Sequence, residues 1–252
     1  GRQEEYDLVV IAEGVGSSTR ELVFAGENRP RWIDLTMGYF TIPKAAGDSE
    51  VARWFTAGGG RSVLLRPDKR GTTRALLNFQ APPQGEDRLE LAAQKALLRR
   101  RFADAGWETP RVLDGLDSST DFYMDVLRQV KLARWSKGRV VLTGDAAWCA
   151  TPLSGIGTTL AIVGPYVLAG ELCKQADIAG ALAEYERIMR PYVHKGQDFP
   201  KFMARMAQPR SRLGVRLQGA LLGVAAAPGL RKLVAKLFSP AADDVELQDY
   251  RI

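Results

Sequence analysis

Residues 138–172, GRVVLTGDAAWCATPLSGIGTTLAIVGPYVLAGEL, constrain the fold of this 252-residue chain more than any other stretch. Val140, Val141 and Leu142 form a short apolar run without polar alternation, as in a parallel strand covered on both faces. Gly144 and Asp145 end it. Residues 152–157 are a glycine turn in which Gly155 and Gly157 can bring bare backbone against a ligand. Residues 158–172 are apolar enough for a buried helix. The order strand, turn, buried helix sets an α/β architecture with a parallel sheet.

A strand, an acidic residue at its carboxyl end, a glycine turn and a helix start are also the parts of a nucleotide or flavin site. The helix start offers free N–H groups and partial positive charge. Asp145 falls at the strand tip, where open α/β sheets bind ligands, and its carboxylate can accept hydrogen bonds from sugar or ribityl hydroxyls. The same spacing fits an ordinary βα unit whose Gly and Pro serve only the turn.

The run GDAA followed by PLSGIGTTLA closely resembles the second flavin motif of the FAD-dependent aromatic hydroxylases, the para-hydroxybenzoate hydroxylase type of flavoprotein monooxygenase. The resemblance implies that Asp145, after Gly144, holds FAD hydroxyls. It also implies that the turn from Pro152 through Gly155 leads to backbone at Gly157, Thr158 and Thr159 lying against the pyrimidine edge of the flavin. Trp148 stands where many members have His, and Thr159 where many have Asn.

A second signature of that family, D-G-x-x-S-x-x-R, is matched by Glu13, Gly14, Ser17 and Arg20, with Glu13 in place of the usual Asp. It implies support of the FAD pyrophosphate region and a link to NAD(P)H. Gly14-x-Gly16-x-x-Thr19 is not a dinucleotide fingerprint, because the third glycine is missing and no Rossmann helix follows.

Composition narrows the class. With 46% hydrophobic and 25% charged residues the chain is globular. Net charge is +6, but the Arg and Lys are dispersed without interleaved aromatics, which argues against nucleic-acid binding. Cys149, Cys173 and the single His194, the latter in a polar helical stretch expected to face solvent, give neither a disulfide framework nor a metal cluster. No signal peptide or spanning segment is read, so the cytoplasm is the expected location and no integral membrane association is expected.

Along the chain, residues 6–12 read as a buried strand. From residue 32 to 82 four alternating segments read as an antiparallel meander, with Tyr39, Phe40, Trp54, Phe55 and Phe79 as candidates for a pocket or for core. Residues 87–105 read as a helix capped by Asp87 and Gly106, with Leu89, Ala93, Ala96, Leu97 and Phe102 on one face. Residues 122–133 alternate again. Pro165 should kink the helix after the glycine turn. Asp177 is expected to cap a helix burying Ala181, Leu182, Tyr185, Ile188 and Met189. The C-terminal part carries Leu213, Leu217, Leu221 and Leu222, then Leu233, Val234, Leu237 and Phe238 beyond a Pro228-Gly229 break. It is expected to pack on the flavin unit or a second subunit, which leaves a homodimer open; a membrane-surface pair is the other reading.

The fold class expected is α/β: an incomplete FAD-binding parallel-sheet domain (1–28 and 134–198), an inserted antiparallel-sheet substrate domain (29–133) and C-terminal helices (199–252). The resemblance implies a preceding segment with the G-x-G-x-x-G turn, so the chain is expected to be the later part of a monooxygenase. Its cofactors would be FAD and NAD(P)H. Its reactants would be O2 and an aromatic or polyketide-like small molecule. No catalytic acid or base is evident. A flavin reductase of the geranylgeranyl reductase type, or a non-catalytic interaction module, is the alternative; a flavin halogenase lacks its W-x-W-x-I-P signature here.

Overall fold

A computed structural model describes residues 2–198, 206–227, 229 and 247–250. Backbone contacts divide the chain into two units, Gly1–Arg31 with Arg128–Phe199 and Phe238–Ile252, and Trp32–Leu127 with Pro200–Leu237. Each is built around its own sheet and core.

In the first unit, β1 (Val9–Ile11) pairs in parallel with β8 (Val140–Leu142), Val10 opposite Val141. The two-residue β7 (Ser136–Lys137) pairs antiparallel with β8, giving the order β1-β8-β7. The strand read over residues 6–12 is thus only three residues long. Val9 and Val10 are 40% and 47% exposed, so β1 is not covered on both faces as its sequence suggests. Its apolar run is the same as that of a central strand, but β1 is the edge of this sheet among the described residues.

Two helices cover β8. The first, α5 (Gly157–Lys174), runs unbroken across Pro165. The second, α6 (Ile178–Gln197), starts where Asp177 accepts the N–H of Gly180 at 2.8 Å and buries Ala181, Leu182, Tyr185 and Met189. Between sheet and helices, Trp135, Trp148 and Tyr185 form an aromatic cluster, with centroids 4.6 Å apart for Trp135 and Trp148. Tyr185 donates its hydroxyl to the Leu142 carbonyl. Farther along α5, the ring of Tyr250 sits where a Cβ on Gly170 would stand, and its hydroxyl donates to the buried Glu171.

The second unit is a five-stranded sheet ordered β3-β4-β5-β2-β6: β2 (Arg31–Pro43), β3 (Arg53–Gly58), β4 (Arg61–Pro67), β5 (Thr72–Gln80) and β6 (Tyr123–Gln129). Only β3, β4 and β5 form a meander. β2 pairs antiparallel with β5, Gly38 opposite Leu77, not with β3 as a simple meander requires. Residues 44–52 are long enough to let the chain cross to the far side. Gly58, Gly59 and Gly60 all have positive φ, which is why the β3–β4 turn is glycine.

Two helices fill the core of this unit. α2 (Leu91–Phe102) begins four residues later than the spacing suggests, because Gly85 at φ 84 opens a separate 3₁₀ turn at Glu86–Arg88 and Leu89 is extended. Asp87 is therefore no N-cap, Ala103 rather than Gly106 ends the helix, and Leu89 is exposed. α3 (Thr109–Ser118) was not read from the sequence, although Pro110 in its first turn is a start signal. It buries Val112 and Leu116, with Gly115 seated on Ile42. Of the aromatic candidates, Phe40 and Phe79 are core, Phe55 stacks on Trp107 at 5.3 Å and Trp54 is exposed.

The last described helix, α7 (Arg212–Ala225), leaves Leu213, Leu217, Leu221 and Leu222 all more than half exposed, where packing was expected. Pro228, Leu233, Val234, Leu237 and Phe238 lie outside the described residues. Among the described residues no helix is long and apolar enough to cross a membrane.

Candidate flavin site

The chain leaves β8 at Gly144, with φ 61 and ψ −149, a conformation essentially confined to glycine. It then turns into α4 (Asp145–Trp148), a single helical turn closed by the Ala147 and Trp148 N–H groups on the Gly144 carbonyl. Asp145 thus opens a helical turn at the strand tip. Burial pushes its carboxyl above the usual carboxylate range, and the thiol of buried Cys149, which donates to it, opposes that shift. A carboxylate held this way gains from any further donor that reaches it.

Pro152–Ser154 is a 3₁₀ turn ended by Gly155 at φ 71, and Ile156 leads into α5 with no side-chain cap. The N–H groups at Gly157, Thr158 and Thr159 therefore lie in a first turn where helix N–H groups lack intrahelical partners. Among the described residues nothing beyond its chain neighbours and its own helix backbone lies within 4 Å of the place a Cβ on Gly157 would take, so backbone there is open to close approach. Pro152, Gly155 and Thr158 are exposed, and Gly157 and Thr159 are partly so. Backbone donors at the head of an 18-residue helix suit an electron-rich ring edge.

Thr151, just before this turn, carries no sequence signal. It adopts φ 76 and ψ 152, a region that costs a non-glycine residue about 1–3 kcal/mol, and its buried hydroxyl has no hydrogen-bond partner among the described residues. Strain at this position is the structural mark of the loop.

Glu13, Gly14, Ser17 and Arg20 assemble around α1 (Ser18–Val23). Glu13 accepts from the Ser17 hydroxyl at 2.7 Å, the Thr19 hydroxyl at 2.6 Å and the Thr19 N–H at 3.1 Å; the Thr19 hydroxyl and then Ser17 hold it below the usual range. Gly14, at φ 82, accepts the Ser17 N–H. Arg20 is 3% exposed and donates to the carbonyls of Ala146 and Val15. Hence Arg20 joins the first motif to α4, whereas the Glu13 carboxylate serves α1. Among the described residues no group of His, Cys, Asp and Glu is arranged to hold a metal.

Residues 5–199 match the family described as FAD binding domain. This chain belongs to that family. The chain is 35% identical over 260 residues to a FAD-dependent monooxygenase of Sarocladium schorii, covering 99% of this chain and 61% of that protein. It matches the crystal structure of tetracycline destructase Tet(55) with a TM-score of 0.79 and 31% identity, over 99% of this chain and 64% of that one. A Klebsiella pneumoniae HpxO complexed with FAD and uric acid shares the fold at a TM-score of 0.62 and 22% identity. The chain spans about three fifths of the length of these relatives. Several of its curated relatives are named flavin-dependent or FAD-dependent monooxygenases, and the two sheets with their helices match the fold of the FAD-binding monooxygenases.

Proposed function

We propose that this FAD-binding chain carries the ribityl- and ring-facing part of the flavin site in a monooxygenase. That enzyme uses NAD(P)H and O2 to place one oxygen atom on an aromatic or polyketide-like molecule. The single observation that carries the reading is the pairing of a half-buried carboxylate at the tip of β8 with the uncapped, unobstructed first turn of α5. FAD, when bound, supplies the redox chemistry.

The chain's own groups bind and orient. Asp145 accepts hydrogen bonds from sugar or ribityl hydroxyls. Gly144 gives the turn its shape, Pro152 and Gly155 direct the loop, and the backbone of Gly157, Thr158 and Thr159 stabilises negative charge at the ring edge through N–H donors and the helix dipole. Arg20, Gly14 and Glu13 hold the neighbouring segment, Arg20 through Ala146. The first substrate to assay is tetracycline, since a tetracycline destructase is among the structures that match.

The test uses protein expressed from its complete reading frame. FAD is titrated by flavin fluorescence, then NADH or NADPH oxidation and O2 uptake are followed with and without tetracycline and simple phenols. Saturable FAD binding with substrate-stimulated O2 uptake is expected. Failure to bind FAD would refute the reading.

A further inference from the structure

We propose that Gln197, the last residue of α6, is a positioning residue that holds the α4 turn, and with it Asp145, in its ligand-binding pose. This rests on the reading of Asp145 as a flavin ligand. α4 has only four residues, and so short a helix does not hold its shape without outside anchors. Arg20 supplies one anchor through Ala146. Gln197 supplies the other at the opposite end of the turn.

The Gln197 side chain is 5% exposed, and its amide nitrogen lies 2.8 Å from the Val130 carbonyl, 3.0 Å from that of Trp148 and 3.3 Å from that of Cys149. The last two are carbonyls that the C-terminal end of a helix leaves without partners. Cys149 is also the residue whose thiol donates to Asp145. Fixing the backbone of Cys149 therefore fixes the donor to the Asp145 carboxylate, and fixing that of Trp148 holds the far end of the turn that Asp145 opens.

The amide can point only one way. Its oxygen accepts the Lys131 ammonium at 2.6 Å, and an ammonium has no acceptor to offer, so the nitrogen must face the carbonyls. The backbone joins the same knot: the Gln197 carbonyl accepts from Gln129 at 2.9 Å, and the Val130 N–H donates to the Cys149 carbonyl at 3.2 Å. Lys131 thus sets the orientation of the amide that sets the turn.

A purely structural glutamine would change stability and leave the flavin alone. Q197E keeps the shape and the Lys131 partner but turns an oxygen toward the three carbonyls. At neutral pH its Kd for FAD is expected to rise about tenfold, the loss of one to two hydrogen bonds' worth of positioning. Part of the loss relative to the native protein should return as pH falls and the new carboxyl regains a proton to donate; it is read as the ratio of the two Kd values at each pH, because protonation of Asp145 weakens FAD binding in both. K131M, which leaves the amide donors in place but frees them to rotate, is expected to raise Kd about threefold and decides the matter if Q197E fails to fold. All variants are measured in protein from the complete reading frame, with folding checked by circular dichroism and D145N as the control. An unchanged Kd in D145N would remove the reading of Asp145 itself. A raised Kd in D145N beside unchanged Kd values in the folded Gln197 and Lys131 variants would overturn the positioning role.

Discussion

The guanidinium of Arg20 lies 3.1 Å from the carbonyl oxygen of Ala146, a residue 126 positions later in the chain. A second nitrogen of the same group donates to Val15 at 3.0 Å, and a third meets Glu21. The helix after β1 and the turn after β8 are therefore fastened together by one buried side chain.

Replacing Arg20 with Met removes charge-assisted hydrogen bonds to two carbonyls, that of Ala146 buried and that of Val15 partly so. Each such bond contributes about 1.5–3 kcal/mol, so unfolding free energy from urea titration is expected to fall by about 3 kcal/mol. Arg20→Lys should recover little of this, because one ammonium cannot reproduce the geometry of the planar fork. Stability of Arg20→Lys equal to that of the native protein would contradict the assignment.

Asp145 and Glu13 are expected to separate in their effects. Asp145→Ala should lower FAD affinity about tenfold or more, while Glu13→Gln, whose loss falls on α1, should change it less than threefold. Flavin-to-protein absorbance ratios after gel filtration give the comparison. Stability of the flavin-free protein should run the other way for Asp145. Burial raises its folded pKa above the unfolded value, so its ionised form destabilises the fold as pH rises through that folded pKa. Flavin-free Asp145→Asn is therefore expected to be at least as stable as the native protein at pH 7, with the advantage shrinking in acid below the unfolded value.

Gly164 and Trp148 should be coupled. A Cβ at Gly164 would stand 2.7 Å from the indole Cζ2 and 2.8 Å from Cη2. Gly164→Ala is expected to destabilise by about 1–3 kcal/mol through overpacking. Trp148→His removes the obstructing six-membered ring. The double variant should then lose less than the sum of the two singles, and additive losses in thermal unfolding would show that the two sites do not share this space.

Acid sensitivity should centre on Asp48 in the second unit. Burial alone would raise its pKa, but the Ala45 N–H, the Thr73 hydroxyl and Arg111 outweigh it and hold it at about 2. A depressed folded pKa contributes stability above the unfolded value near 4, lost as pH falls from there toward 2. The contribution at neutral pH is about 2 kcal/mol at most. Asp48→Asn should flatten the stability profile between pH 4 and 2, as followed by urea midpoints.

What the residues by themselves determined is what short-range chemistry encodes. The apolar run Val140–Leu142, the glycine turn, the helix from Gly157 and the Asp177 cap are set by neighbours within a few positions, and each was legible. The flavin motif is legible for the same reason, being one continuous stretch whose backbone shape depends on Gly144 and Gly155. Tertiary structure decided the rest. That β2 pairs with β5 depends on which strand lies alongside, which periodicity within a strand does not record. The helix expected from Asp87 starts at Leu91 because the positive φ of Gly85 redirects the chain. Gln197 and Lys131 showed nothing in the sequence, since an ordinary Gln near a helix end acquires its role only when folding brings the carbonyls of Val130, Trp148 and Cys149 to its amide.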